Sequence, residues 1–354
     1  MGPRFRGDDS LGIPRGRQVS MSVNPPTMQR RKFLILSVLA GALAPAWHAL
    51  AQERYPSRPV RLVVPSVPGG VHDVIGRLWA EKIKPRFGTI VIDNRGGAGA
   101  SIGAKDIAHS QPDGYSILLG STSSHVLVPL SMTNPPYDPV RDFSVICVFA
   151  YSSTSIVVHP SVPAQKLRDL IDYARANPGK LSYGAAGTGS ITHLAGELFK
   201  QLAGGLDIPV IPYRGIGQGI NDLVGGQIQM FSANATAQIL ELNRAGKLRI
   251  LSINSEKRIS AAPKIPTSIE AGLSGMVAQT TFGIFAPAGT APAAIERINT
   301  LTQEALGEPS FRDELLHLGF EPVPDAGPQK AAELFAEERV RWTPILKSTN
   351  IKPE

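Results

Sequence analysis

Apolar and polar positions fall into short blocks that switch between strand-like and helix-like spacing along most of the chain. The first clear block is Leu62, Val63 and Val64, a continuous apolar run of the kind a doubly buried strand carries. Pro65 and Pro68 stop it, and Gly69-Gly70 lets the backbone turn without a side chain in the way. Val71, Ile75, Leu78 and Trp79 then recur at close to helical spacing, with Asp73 in the first turn. Strand, bare glycine turn and helix start therefore follow one another from 61 to 79. Such a helix start presents unpaired N–H groups and the positive end of its dipole, which favours a phosphate or a carboxylate. The stretch equally suits a tight connection with no ligand, and by itself it does not separate the two.

The same order repeats downstream. Residues 88–92 read as a strand entering the turn-rich 93–100, and 101–110 as a helix. After the turn at Pro112-Asp113-Gly114, residues 115–119 read as a buried strand ending in a hydroxyl-rich loop tip at 120–125. Residues 143–149 form an apolar strand-like run. A second unit begins near Ser155: strand 156–159, helix 167–177 stopped by Pro178-Gly179, strand 181–183, and a glycine loop at 184–190. Ile191, Leu194, Leu198 and Phe199 make 191–202 helical by spacing. The segment 210–214 and its glycine-rich successor at 215–219 follow, then a helix ending at Gly225-Gly226 and strands at 228–231 and 246–252. An apolar run at 281–286 and helices at 291–306 and 331–342 close the chain. Strands alternating with helices predict an α/β fold with a parallel sheet. Ligands of such sheets gather beyond the carboxyl ends of the strands, where the Gly69-Gly70 turn and the 121–125 loop fall. Two glycine-led helix starts on two sheets are expected to face one another across a cleft.

Composition changes this picture in one respect. The 354 residues have room for two domains, and 42% hydrophobic and 18% charged residues are those of a soluble globular protein. A net charge of +7 suggests a nucleic-acid or membrane partner, but residues 1–51 alone carry a net +5 and the remainder is about neutral. No nucleic-acid partner is expected. The basic excess belongs to a leader: Arg30-Arg31-Lys32, an apolar run at 33–44 and Ala49-Leu50-Ala51 spell a signal peptide with an A-x-A cleavage site. The run is too short to span a bilayer well. We expect 1–27 to be an unstructured upstream extension, Met28 the natural start, 28–51 the signal peptide, and the mature chain to begin near Gln52 in the periplasm. Arg30-Arg31 also resembles a twin-arginine export signal. The single Cys147 makes no internal disulfide and sits in an apolar run.

Catalytic and cofactor motifs fail on spacing. Gly97-Ala98-Gly99 and Gly187-Thr188-Gly189 have Ile102 and Thr192 where a dinucleotide fingerprint requires glycine. There is no Walker A sequence, no G-x-S-x-G elbow and no H-E-x-x-H. His193 and Glu197 are four apart, compatible with one edge of a metal site, with no third ligand in view. Asp73, Asp93 and Asp113 sit in turns or a first helical turn, where Asp serves as a local cap. No enzyme activity, cofactor or metal is expected.

Taken in order, V-P-x-x-P-G-G-x-x-D at 64–73, Asp93-Asn94-Arg95 with Gly97-Ala98-Gly99, and Pro112-Asp113-Gly114-Tyr115 resemble a known family. So do Tyr183-Gly184 through Gly189-Ser190, the 193–199 segment, Tyr213-Arg214-Gly215, the 245–249 segment, Pro266-Thr267 with 270–273, and the 282–290 segment. The chain resembles, over its whole mature length, the Bug-type extracytoplasmic solute receptors of tripartite tricarboxylate transporters. The resemblance implies a two-domain, type II periplasmic-binding-protein fold with crossing segments near 149–155 and 280–286. It puts domain 1 at 52–152 and 285–354 and domain 2 at 153–284. It further implies a small organic anion as ligand (a di- or tricarboxylate, an acidic amino acid or an aromatic acid), delivery to integral-membrane permease subunits, and a monomer. Carried over by position, Pro68, Gly69, Gly70, His72 and Asp73 form the first wall with Ser121, Ser124 and His125. Gly187, Thr188, Gly189, Ser190 and His193 form the opposing wall, with Tyr213 and Arg214 nearby. The chain departs from the family pattern at Val67, at His72 where a small hydroxyl residue is more common, at Gly217-Gln218, and at Asn234 where an acid often follows the strand. His72 either points into the cleft or faces solvent. The alternative function is a receptor-derived sensor or scavenger that presents its ligand to a signalling partner, and a more distant one a secreted hydrolase using Ser190 and His193.

Overall fold

The structure is a computed structural model that describes residues 55–349 together with Met21. Apart from Met21, the expected extension, the signal peptide and its twin-arginine feature lie outside the described residues. Tyr55–Glu354 forms one compact unit.

Strand β1 (Val60–Val64) is the apolar run anticipated from the sequence, and Leu62, Val63 and Val64 are fully buried. It lies between β2 (Ile90–Asn94) and β3 (Ser116–Ser121), parallel to both. Helices α1 (Val71–Phe87) and α2 (Ser101–Ala108) supply the crossovers. Helix α1 carries Asp73 in its first turn and Lys84 and Arg86 in its last, matching its dipole. Buried Trp79 pins it: its indole N–H donates to Thr302 Oγ1 at 3.0 Å on α7 (Pro292–Gly307).

The second half repeats the design. Strand β5 (Tyr183–Ala185) runs parallel to β6 (Val210–Pro212) and β7 (Met230–Asn234), with α3 (Leu167–Ala176), α4 (Ile191–Leu202) and α5 (Ile216–Val224) around them. Two long strands tie the halves together. Strand β4 (Phe143–Val158) pairs antiparallel with β9 (Gln279–Pro287) as far as Ser153↔Gln279, and from Thr154↔Asn234 onward with β7. Its far end also pairs with β8 (Arg249–Ile253). The order is β2-β1-β3-β9-β4-β7-β5-β6.

Three features correct the sequence expectations. The sheet is mixed, because β9 and β4 run antiparallel to their neighbours between the two parallel halves. The runs at 143–149 and 156–159 are one strand, whose polar middle, Ser152 to Ser155, is fully buried. Three of its four hydroxyls are bonded to neighbouring strands and loops, Thr154 Oγ1 donating to Ala278 O (2.9 Å), Ser155 Oγ to Ala233 O (2.8 Å) and Ser153 Oγ accepting from Gln279 Nε2 (3.1 Å), while Ser152 Oγ has no partner among the described residues. The hydroxyl-rich segment after β3 is not an exposed tip. It is a buried π-helical turn at Ser123–Leu127. Helices α6 (Ala237–Arg244) and α8 (Pro309–His317) and the short β10 (Glu321–Pro322) were not anticipated, and the closing helix α9 (Pro328–Thr349) is longer than its apolar spacing suggests. Among the described residues no helix is long and apolar enough to cross a membrane.

Candidate ligand-binding cleft

Four chain turns point into one space. Helix α1 begins at Gly70, which supplies no side-chain cap, after Gly69 at φ +76°. The N–H groups of Val71 and His72 in its first turn have no partner among the described residues. The Gly69 N–H is spent on Asp73 Oδ2 (2.9 Å), and Asp73 also accepts from Arg77 Nε and Asn94 Nδ2, both at 2.9 Å. Burial alone would raise the Asp73 pKa, but these three bonds outweigh it and hold the carboxylate below its usual range. Asp73 thus shapes the turn.

The second turn, Gly96 to Ala100, follows β2. Ala98 and Ala100 sit at φ +45° and +84° on either side of Gly99 at +63°. Holding an alanine in the left-handed region costs roughly 1–2 kcal/mol, and strain of this kind collects where geometry serves a ligand. The third turn leads into α4. Here the chain caps itself: Ser190 Oγ accepts from His193 N (3.4 Å), Ile191 N donates to Ser123 Oγ (3.2 Å), and Gly189 N donates to His193 Nδ1 (3.1 Å). The fourth is the start of α5 at Gly215, again without a side-chain cap.

Between them lies a cavity of about 770 Å³. Its rims nearly touch, since a methyl added at Gly99 would stand 3.0 Å from Thr188 O and one at Gly215 3.0 Å from Val67 Cγ2. Among the described residues no acidic carboxyl side chain lines it, and its basic lining residues are Arg214 and His72. Arg214 is exposed and has no ion-pair partner among the described residues. Half-buried His72 faces the cavity rather than solvent, with Nε2 2.9 Å from Ser121 Oγ and its ring edge-on to Phe282. Burial pushes its pKa down to about 4, so the ring is neutral at pH 7.

Of the residues expected at the site, Gly70, His72, Gly187, Thr188, Ser190, Tyr213 and Arg214 line the cavity. Pro68, Gly69, Asp73, Gly189 and His193 adjoin lining residues without lining the cavity themselves, and Ser121 contacts the lining through His72. Ser124 and His125 do not belong to the wall. Ser124 Oγ accepts from Ser121 N at 2.9 Å, while His125 is buried and stacked on Phe285 at 3.7 Å, with burial pushing its pKa down to about 3. The expectation that they face the ligand fails because the segment turns inward instead of looping out. Sequence reasoning also missed the 96–100 turn, Met132, Asn234, Thr280 and Phe282. The turn left a signal in its glycine run after a parallel strand, Asn234 in its departure from the family pattern, and Phe282 in the segment it opens; Met132 and Thr280 left none. Among the described residues no group of three or more His, Cys, Asp or Glu side chains is placed to hold a metal. Glu197 instead accepts from Tyr183 Oη (2.6 Å) and Lys200 Nζ (2.8 Å).

Residues 75–351 match the family model described as "Tripartite tricarboxylate transporter family receptor". The chain belongs to this receptor family. BugT of Bordetella pertussis is 35% identical over 320 residues, covering 90% of this chain and 96% of BugT. Among solved structures, Rpa4515 of R. palustris with adipate is 34% identical at a TM-score of 0.81, spanning 85% of this chain and all of that one. MatC of Rhodopseudomonas palustris with bound malate is 28% identical at a TM-score of 0.77, spanning 82% of this chain and all of MatC. The receptors of this family are two-lobed periplasmic solute-binding proteins, and the mixed α/β fold described above is theirs.

Proposed function

We propose that this receptor, exported to the periplasm, closes two lobes on a small carboxylate and hands it as a monomer to an integral-membrane permease, with no bond made or broken. The observation that carries this is the cavity itself. Among the described residues it has no acidic carboxyl side chain in its lining, an exposed arginine without an ion-pair partner, and main-chain N–H groups without partners where α1 begins. Each of these favours negative charge over positive. The adipate and malate of the related structures agree with an anion of this size class. The lobes are 52–152 with 285–354, and 153–284. The hinge of the motion lies where β4 changes partner from β9 to β7, at Ser153 and Thr154.

A thermal-shift panel of mono-, di- and tricarboxylates tests the reading. A ligand at a hundred times its dissociation constant adds about 2.7 kcal/mol, a rise of several degrees for a chain of this size, on the order of 2–4 °C per kcal/mol. At least one carboxylate should produce it, and Gly70→Val, whose Cβ would stand 3.1 Å from Val67 O, should diminish it. A panel in which an uncharged sugar or a metal raises the melting point and no carboxylate does would end the proposal.

A further inference from the structure

The glycine loop that leads into α4 is held by side chains of the helix it precedes, and one of them is a histidine. Ala186 N donates to Thr192 Oγ1 (2.8 Å), Ser190 Oγ donates to Gly187 O (2.7 Å), and Gly189 N donates to His193 Nδ1 (3.1 Å). Gly187 and Thr188 line the cavity, and their own N–H groups have no partner among the described residues. His193 is only 6% exposed and does not line the cavity itself.

A main-chain N–H only donates, so Nδ1 in this bond carries no proton and the neutral ring holds its proton on Nε2. The Gly189 N–H belongs to the same planar peptide unit as the Thr188 carbonyl, so holding one end fixes the other. That carbonyl faces the opposite rim, where a methyl built at Gly99 would stand 3.0 Å from it. Gly187 and Gly189 sit at φ +104° and +75°. Glycine enters and leaves such values freely, so the backbone alone does little to keep the peptide in place.

A proton on Nδ1 would set donor against donor. The Thr188–Gly189 peptide would then turn as a unit and carry the Thr188 carbonyl away from the rim. The charged groups bearing on the ring are Glu197 and Lys200 of its own helix, paired with each other at 2.8 Å. Tyr183 of β5 lies beside the ring, centroids 6.4 Å apart, with its hydroxyl bonded to Glu197 (2.6 Å). Burial, the largest influence, outweighs the pull of Glu197 and acts with Lys200 to hold the His193 pKa below its usual value. The ring is therefore neutral at pH 7, as the bond from Gly189 requires.

We propose that His193 is a positioning residue of the cleft: its neutral Nδ1 orients the Thr188–Gly189 peptide, and a proton there releases that peptide and weakens the ligand. This rests on the carboxylate-receptor reading.

The test has a ligand-free arm and a binding arm. In nitrogen NMR spectra of the mature protein, His193 should show an unprotonated Nδ1 at pH 8, and the Gly189 amide should shift with the same midpoint as the ring as the pH falls to 4.5. His193→Asn keeps an acceptor oxygen near the place of Nδ1, His193→Gln sets it farther out, and His193→Ala removes it; melting curves check that each is folded. The binding arm titrates malate, adipate or whichever member of the carboxylate panel gives the largest thermal shift. At pH 8, His193→Ala and His193→Gln should bind about two- to tenfold more weakly, the range of one hydrogen bond, and His193→Asn within about twofold of wild type. On acidification wild type should lose about as much at the His193 midpoint, a loss absent from His193→Asn, whereas protonation of His72 and of the ligand affects both alike. A protonated Nδ1 at pH 8, His193→Asn no better than His193→Ala, or equal acid losses in wild type and His193→Asn would each overturn the inference and leave the receptor reading standing. Binding of no carboxylate in the panel would end the receptor reading and the inference together.

Discussion

Gly99 offers a way to separate the cost of building the cleft from the cost of closing it. The residue sits at φ +63°, and a methyl added there would meet Val128 Cγ2 at 2.6 Å and Thr188 O at 3.0 Å. Val128 lies on the same proposed lobe as Gly99, and its side chain can give way; Thr188 O is main chain on the opposite lobe. In Gly99→Ala the left-handed strain of roughly 1–2 kcal/mol is present whether the lobes are open or closed, so it lowers the melting point by a few degrees and cancels from binding. The clash with Thr188 exists only when the rims meet. Overpacking of this kind costs typically 1–3 kcal/mol, which weakens the ligand by about fivefold to somewhat over a hundredfold. The assay is titration calorimetry of wild type and Gly99→Ala with the carboxylate giving the largest thermal shift, alongside melting curves of both ligand-free proteins. A lower melting point with an unchanged dissociation constant would show that the Gly99–Thr188 approach plays no part in the bound state, and the closing-rim argument would fail.

Ser190→Ala removes the cap of α4 together with the bond to Gly187 O at 2.7 Å, and is expected to cost about 1 kcal/mol in urea melts and to weaken carboxylate binding; an unchanged titration would take Ser190 out of the site. Glu338 on α9 accepts from Thr281, and burial raises its pKa to about 7 against the pull of Thr281, Thr122, Arg341 and Arg339. A folded pKa above the unfolded one gives stability that is whole below about pH 4.5 and is lost as pH rises through 7. Glu338→Gln should therefore match wild type at pH 4.5 and exceed it by on the order of 2–3 kcal/mol at pH 8, and a deficit at both pH values would refute this. His72 runs the opposite way: with its pKa lowered from 6.5 to about 4 by burial, its contribution is whole above pH 6.5 and lost as pH falls through 4. Urea midpoints at pH 7 and 4.5 should differ less in His72→Ser than in wild type, and an identical difference would show that the ring does not titrate as described.

The parts of this protein legible in its sequence are those with a local physical cause. The strand at Leu62 to Val64 announces itself because both faces are buried. The starts of α1 and α4 do so because glycines precede a 3.6-residue apolar rhythm, and Gly70 and Ser190 do line the cavity. The join of β4 was hidden for the opposite reason: four successive hydroxyl residues look like a loop until distant carbonyls, Ala278 for Thr154 and Ala233 for Ser155, accept from two of them inside the sheet. His125 was misplaced by the same logic. A polar segment after a strand is expected at the surface, and only the stacking of Phe285 on its ring brings it inside.

Neither the departure at Asn234 nor the 282–290 segment marked Asn234, Thr280 or Phe282 as cavity lining, because Asn234 meets Thr280, and Phe282 meets His72, only once the sheet is assembled. Thr280 and Phe282 face the cavity and Thr281 between them faces Glu338, so one pleat of β9 serves the ligand on one side and a proton-sensitive carboxyl on the other. The strand that carries the cavity's aromatic wall is thus also paired along its length with β4, the strand that joins the two parallel halves of the sheet. Altering the ligand contact at Phe282 without altering closure is then harder than altering it at His72, which hangs from a helix start outside those strands. A substitution at position 72 therefore disturbs the sheet less than one at Phe282, which is fully buried within it.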